Sequence, residues 1–250
     1  MARKKLLAAN WKMYKTPAQA QEFVRAFLPL VSQYNRDEVA LCAPAVCIAA
    51  VVADVKDSGI GVGAQNMHWE KEGAFTGELS ANQLVAAGCS HVIIGHSERR
   101  QYFGETDTTV NKKLEAALEA GLTPIVCVGE VLEEREAGVT DDVLRRQCDL
   151  AFRGISGAKA QKLTVAYEPV WAIGTGKTAT PQIAAAAHAV IRAQAAKAFG
   201  QDLADGLRIL YGGSVKPDNS KSLMSEPEID GALVGGASLD PKSFAAIVKY

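Results

Sequence analysis

The segment from Ala166 to Thr178, AYEPVWAIGTGKT, places one carboxylate between an apolar run and a glycine-containing loop. The carboxylate belongs to Glu168, and the glycines of the loop are Gly174 and Gly176. A carboxylate at the end of a buried strand can act as a general base, and a mobile loop beside it can exclude water. The pattern therefore indicates enzymatic proton transfer through an intermediate that must be kept from water.

A nucleotide-binding P-loop is the rival interpretation, because Gly176-Lys177-Thr178 has the spelling of its last residues. A P-loop needs a glycine five residues before its Gly-Lys pair, and that position holds Trp171. Pro169 also removes one backbone N–H donor from the segment. Both departures argue against a triphosphate site.

Eight short apolar runs predict the strands that position this chemistry. They are apolar almost throughout, which is typical of parallel strands buried on both faces. The runs are Leu6–Asn10, Val39–Ala43, Ile60–Gln65, His91–Gly95, Thr123–Val128, Leu163–Tyr167, Leu207–Tyr211 and Gly231–Val234. Helical patterns between them include Pro17–Val31, Thr106–Ala120, Asp141–Phe152 and Thr180–Phe199.

This alternation predicts an α/β fold, a single-domain (β/α)₈ TIM barrel over residues 1–250. A doubly wound open sheet is the alternative, but its Gly-rich fingerprint is missing after the first strand, where Asn10-Trp11-Lys12 stands. No linker, low-complexity tract or charge block divides the chain.

In such barrels the reactive groups lie at the carboxyl ends of the strands. The residues at those positions are Asn10, Lys12, His96, Ser97, Glu98, Glu168, Gly212, Gly213, Ser214, Gly235 and Gly236. The glycine-rich groups after the last two strands predict a phosphate site, because their backbone N–H groups can approach an anion closely. The substrate expected here has one phosphate and a small reactive body.

Seven motifs in chain order resemble those of the triosephosphate isomerase family. They are NWKM at 10–13, GAFTGE at 73–78, IIGHSERR at 93–100, CVGE at 127–130, AYEPVWAIGTGK at 166–177, YGGSV at 211–215 and VGGASL at 234–239. The departures are Ala9, where many members have glycine, and Ala45, where proline is frequent. The resemblance implies interconversion of dihydroxyacetone phosphate and D-glyceraldehyde 3-phosphate through an enediol(ate), a step of glycolysis and gluconeogenesis.

The resemblance also implies a role for each matching residue. Glu168 would be the base, and His96 would be a neutral imidazole that polarises the carbonyl; the family is itself a standard example of such pKa tuning and of lid closure. Lys12 would supply a fixed positive charge. Asn10 would bind the substrate and position Lys12. The residues that would hold the substrate and its phosphate are Asn10, Lys12, Gly174, Ser214, Gly235 and Gly236, and no cofactor or metal is expected.

A long connection over residues 66–80 breaks the regular alternation and carries Met67, Trp69 and Phe75. Loops of this length are usually functional or interfacial, although an insertion folded back on its own barrel is the alternative. The resemblance implies a homodimer in which this loop docks on the second subunit. Thr76 would then reach toward the active site of that subunit.

Charge and cysteine usage suggest where the protein acts. A formal net charge of −1 gives no reason to expect nucleic-acid or membrane binding. The apolar run near the N-terminus is too short for a signal peptide. Five scattered cysteines without a C-x-x-C pair favour reduced thiols and a cytoplasmic location.

Another phosphosugar barrel is one rival interpretation, but a metal-dependent epimerase would show extra His and Asp at strand ends and an aldolase a lysine within a mid-barrel strand, and neither pattern is visible. A catalytically silent scaffold barrel is another, and the presence of Lys12, His96 and Glu168 together argues against it. Glu98 could tune the site or pair with a lysine such as Lys112. Cys127, at a strand end, is interpreted as packing rather than as a nucleophile, because no base stands beside it in sequence.

Overall fold

In a computed structural model, which describes residues 3–173 and 178–250, eight parallel strands close into a barrel. Each strand pairs with its neighbours in sequence, and the first strand also pairs with the last, from Leu6↔Gly231 to Ala9↔Val234. The strands are Leu6–Asn10 (β1), Glu38–Cys42 (β2), Gly61–Ala64 (β3), His91–Ile94 (β4), Thr123–Val128 (β5), Thr164–Tyr167 (β6), Arg208–Tyr211 (β7) and Gly231–Val234 (β8). The predicted (β/α)₈ barrel is thereby confirmed.

Helices surround the barrel. In the part of the chain that the structure describes, the α-helices are Pro17–Val31 (α1), Ile48–Asp54 (α2), Ala81–Ala86 (α3), Ser97–Tyr102 (α4), Asp107–Glu119 (α5), Leu132–Glu136 (α6), Thr140–Ala151 (α7), Pro181–Phe199 (α8), Gln201–Gly206 (α9), Pro217–Met224 (α10) and Pro241–Val248 (α11). Short 3₁₀ turns complete them at Ala45–Cys47, Lys159–Lys162, Val170–Ala172 and Gly236–Leu239. None of the helices in these ranges is long and apolar enough to span a lipid bilayer.

The two faces of each strand enter different cores, which explains the continuous apolar runs. Leu6 and Ala8 belong to a small cluster inside the barrel, together with Ile93 and Leu210. Leu7 and Ala9, on the other face of β1, belong to the larger core between strands and helices. Because alternate side chains fill both cores, neither face of a strand is left for solvent.

Local signals place the helix starts where the sequence predicts them. Thr180 caps α8 by accepting a hydrogen bond from Ile183 N at 3.2 Å, and Pro181 occupies the first turn. Thr16 caps α1 in the same way and forms a capping box with Gln19. All eight strands belong to one barrel, while the single domain over residues 1–250 stays a prediction.

Candidate active site

The carboxyl ends of the strands surround a cavity of about 800 Å³. Its lining includes the predicted site residues Asn10, Lys12, His96, Glu168, Ser214, Gly235 and Gly236. Residues from opposite ends of the sequence, such as Asn10 and Gly235, therefore line the same cavity. Gly174, which was also predicted to bind phosphate, lies outside the described residues.

Glu168 follows β6 and is 2% exposed. Its Oε2 accepts a hydrogen bond from Ser97 N at 2.8 Å, and its Oε1 lies 2.9 Å from His96 Nε2. Burial raises the pKa of Glu168, but the charge and hydrogen bond of His96, with Ser97 N, lower it more, so the net shift is downward. The carboxylate is therefore ionised at neutral pH and held on the β4 side of the cavity.

Two glycines make room for Glu168, and the sequence alone did not reveal this role. A Cβ atom on Gly129 would lie 1.7 Å from the Glu168 carbonyl oxygen. On Gly212 it would lie 2.9 Å from Glu168 Cγ and 3.1 Å from the Tyr167 carbonyl oxygen. Only glycine permits these close approaches of β5 and β7 to the end of β6.

His96 is the N-cap of α4, and its Nδ1 accepts a hydrogen bond from Glu98 N at 3.2 Å. A neutral ring in this position carries its proton on Nε2, which faces the cavity and Glu168. Burial lowers the pKa of His96, whereas the charge and hydrogen bond of Glu168 raise it, with a net rise. That rise requires the carboxylate to remain in contact; once it moves away, burial and the amide at Nδ1 favour the neutral ring.

Lys12 occupies the left-handed region of backbone conformation, with φ 51°. Its N–H donates to Asn10 Oδ1 at 3.0 Å, which stabilises a turn that non-glycine residues rarely adopt. Its Nζ lies 2.5 Å from Glu98 Oε1. Glu98 therefore pairs with Lys12 and not with Lys112, whose Nζ lies over the Trp69 ring instead.

Residues after β7 and β8 line the cavity where the sequence predicts an anion site. The 3₁₀ turn Gly236–Leu239 begins beside the cavity, and its first N–H groups have no acceptor within the turn. A Cβ atom on Gly236 would meet nothing within 4 Å, so the space before this turn is open. At Gly235 it would lie 3.4 Å from Lys12 Cε, which brings a positive charge to the same place.

The loop that follows Glu168 is anchored by a second buried carboxylate. Glu130 is 0% exposed and accepts hydrogen bonds from Trp171 Nε1 at 2.8 Å and from Tyr167 hydroxyl at 3.1 Å. Arg135 Nη1 lies 3.4 Å from the same oxygen, Oε1. Glu130 stands in the motif CVGE, so its position was visible in the sequence, but its contact with Trp171 was not.

A second cavity of about 420 Å³ lies on the other side of Lys12 and His96. Its lining includes Gly77, in the 66–80 loop, and the exposed Met13 and Phe103. Further exposed apolar side chains in the described part of the chain include Tyr14, Val46, Phe75, Val85, Tyr102, Val131, Leu132 and Val139. Lys12 and His96 therefore also border a second, partly apolar cavity.

Cysteine and metal chemistry find little support in the described ranges 3–173 and 178–250. No group of three or more His, Cys, Asp or Glu side chains there could hold a metal ion. All five cysteines are free and buried. Burial, with the nearby charge of Glu168, raises the pKa of Cys127 well above its usual value, so its thiol stays protonated.

Comparison with known proteins gives consistent results. The family model described as "Triosephosphate isomerase" matches residues 5–250. The triosephosphate isomerase of Solibacter usitatus is 59% identical over 248 residues, which are 99% of this chain and 100% of that protein. That of Geobacter metallireducens is 54% identical over 98% of both chains. A crystal structure of triosephosphate isomerase from Bartonella henselae matches with a TM-score of 0.88 and 39% identity, over 98% of this chain and 97% of that one.

Proposed function

The chain belongs to the triosephosphate isomerase family and interconverts dihydroxyacetone phosphate and D-glyceraldehyde 3-phosphate in glycolysis, and we propose that Glu168, His96, Lys12 and Asn10 carry out this reaction. One observation carries the proposal. An ionised, buried carboxylate and an imidazole whose Nε2 faces it lie 2.9 Å apart in the 800 Å³ cavity, which Lys12 also lines.

Glu168 is the base that removes the proton from the carbon beside the carbonyl. Both its oxygens are occupied in this structure, one by Ser97 N and one by His96 Nε2. The side chain must therefore leave these partners to reach a substrate carbon. Because Gly212 has no Cβ atom, space remains beside Glu168 Cγ for this movement.

His96 and Lys12 stabilise the negative charge that develops on the substrate oxygens. The Nε2–H group of His96 donates to the carbonyl oxygen and carries protons between the two oxygens of the enediol. The Lys12 ammonium group adds a fixed positive charge beside the enediolate and the phosphate. Asn10 binds the substrate and, through its bond to Lys12 N, holds Lys12 in place.

The phosphate binds at the backbone of Ser214, Gly235 and Gly236. The open space before the 3₁₀ turn at Gly236 supports this position. Gly174, taken from the family pattern, would complete the site when the loop over residues 169–178 closes. Exclusion of water by that loop prevents the enediol phosphate from losing its phosphate.

The test is isomerase turnover with glyceraldehyde 3-phosphate in excess EDTA, for the wild type and for Glu168→Gln. We expect turnover that EDTA does not change and that falls by at least about 10³-fold in the variant, because the amide cannot accept the carbon proton. Glu119→Gln, which alters a carboxylate paired with Lys159 on the outside of the barrel, is the matched control. A fast Glu168→Gln enzyme would show that another residue is the base.

We also propose that the protein is a homodimer formed through the 66–80 loop. The second cavity reaches Lys12 and His96, and exposed Met13 and Phe103 line it, so a tip such as Thr76 from a second subunit would cover apolar surface there. A loop of a second subunit bound in this cavity would contact Lys12 and His96 on the side away from the larger cavity.

Replacement of Thr76 with Arg should produce monomers with much lower turnover, because a long charged side chain does not fit a partly apolar cavity. Sedimentation velocity and turnover measure both effects. Gln161→Arg, an exposed residue before β6, adds the same charge at the other end of the barrel and should change neither. A fully active monomer would contradict the proposal.

A cytoplasmic location completes the proposal. It is supported by the five free, buried cysteines, which suit a reducing compartment. Fractionation of the native cells, with detection of the protein by antibody, tests it.

A further inference from the structure

The 66–80 loop contains an aromatic stack, formed by Trp69, His68 and Phe75. The centroid of the His68 ring lies 4.1 Å from that of Trp69, with 25° between the planes. On the other side, the His68 and Phe75 centroids are 4.3 Å apart, with 31° between the planes. Lys112 Nζ, from α5, lies 5.1 Å from the Trp69 ring centroid. His68 is thus the central member, and Lys112 connects the stack to the barrel.

The backbone closes the loop at the same residue. His68 N donates to the Leu79 carbonyl oxygen at 2.7 Å, and His68 forms an isolated bridge with Ser80. His68 Nδ1 accepts a hydrogen bond from Glu70 N at 3.1 Å. Met67 before the closure is fully buried. The loop is therefore a compact Ω-type loop filled by its own side chains.

The tip of the loop is folded onto the stack. Gly73 has φ 143°, and a Cβ atom there would lie 2.9 Å from Phe75 Cε2, so the ring of Phe75 covers this glycine. Phe75 N donates to the Gly73 carbonyl oxygen at 2.9 Å, and Glu78 N donates to that of Phe75 at 3.0 Å. Gly77 also adopts a left-handed conformation, with φ 91°. Ala74, Thr76 and Gly77, outside the stack, remain exposed.

We infer that the aromatic stack holds the 66–80 loop in its docking shape in each single subunit, so that it enters the second copy of this chain already folded. The inference rests on the proposed homodimer. A loop that became ordered only on docking would oppose association through its lost conformational entropy. His68 is the positioning residue of the loop, because it contacts both other rings and closes the backbone.

Amide hydrogen exchange in the Thr76→Arg background tests the folded state of the loop without a partner. We expect the His68, Phe75 and Glu78 amides to be protected in that monomer, since their acceptors lie within the loop. Adding His68→Ala should speed their exchange at least about tenfold, and His68→Phe, which keeps a ring, should not. Unprotected amides in the parent monomer would overturn the inference.

The dimer dissociation constant, measured by dilution of the otherwise wild-type protein, tests the consequence. His68→Ala should weaken the dimer by about 10- to 100-fold, and His68→Phe by less than about threefold. Activity lost by His68→Ala should return at high protein concentration. Faster exchange with an unchanged dissociation constant would refute the link to docking.

The two proposals fail in different ways. A wild type that is monomeric at all concentrations contradicts the homodimer, while exchange in that monomer still decides whether the stack folds the loop. A Thr76→Arg protein that stays dimeric contradicts the assigned contact of Thr76; His68→Ala must then still speed exchange for the inference to stand.

Discussion

Replacement of Gly212 with Ala tests whether the space beside Glu168 is required for catalysis. The added Cβ would lie 2.9 Å from Glu168 Cγ and 3.1 Å from the Tyr167 carbonyl oxygen. The backbone cannot simply withdraw, because Gly212 N donates to that same oxygen at 2.7 Å. The Glu168 side chain must therefore shift.

Two effects of this substitution can be separated. Overpacking at a tight site typically destabilises a protein by about 1–3 kcal/mol, and the lower entropy of the unfolded chain offsets about 0.4–1 kcal/mol of this. We therefore expect a net loss of about 0–2.5 kcal/mol in the free energy of unfolding. A base displaced by a large fraction of an ångström should reduce kcat by about 100-fold.

The assay is steady-state turnover over a substrate series, together with urea unfolding of the same samples. Gly206→Ala is the matched control, since a Cβ atom at the end of α9 would meet nothing within 4 Å. It should leave kcat unchanged and stabilise the protein slightly. If Gly212→Ala kept kcat within about threefold of the wild type, the steric argument would be wrong.

Two further predictions concern buried charge. The Arg192 guanidinium group lies 2.7 Å from Glu228 Oε2 and 2.8 Å from Asp230 Oδ2. Arg192→Met should therefore lower the free energy of unfolding, measured in urea, by about 3–5 kcal/mol. Lys197→Met, which removes an exposed pair with Asp149, should change it by less than about 1 kcal/mol. Burial lowers the pKa of His188 from 6.5 to about 4. The unfolded chain therefore takes up a proton as the pH falls through 6.5, whereas the native protein does not, so stability decreases as the pH decreases. The stability advantage of the wild type over His188→Gln should shrink by about 1.5 kcal/mol from pH 6.5 to 5. A constant difference would show that His188 is not the titrating group.

Much of the fold could be predicted from local patterns. The bounds of β1, β5 and β8 agree with the predicted runs, and the other strands differ by one residue at one or both ends. Helices α1 and α8 begin at capping threonines followed by proline. Short helices such as α4 and α9 were not predicted, because six residues give too little periodicity to distinguish a helix from a turn.

The candidate site divides in the same way. Strand ends are local features, so the sequence indicated Glu168, His96 and Lys12 as site residues. The partner suggested for Glu98, a lysine such as Lys112, was wrong, because the actual partner Lys12 lies 86 positions away in sequence and only barrel closure brings the two together.

The sequence by itself determined the strand and helix pattern, the chemical groups at each strand end and the glycines after β7 and β8. Only the tertiary structure decided that Glu168 contacts Ser97 N and His96, because Glu168 and Ser97 are 71 positions apart in sequence. It also decided that Gly129 and Gly212 leave room for the Glu168 residue. The reason is physical: propensity and capping act within a few residues, whereas these distances depend on the register and curvature of a closed sheet.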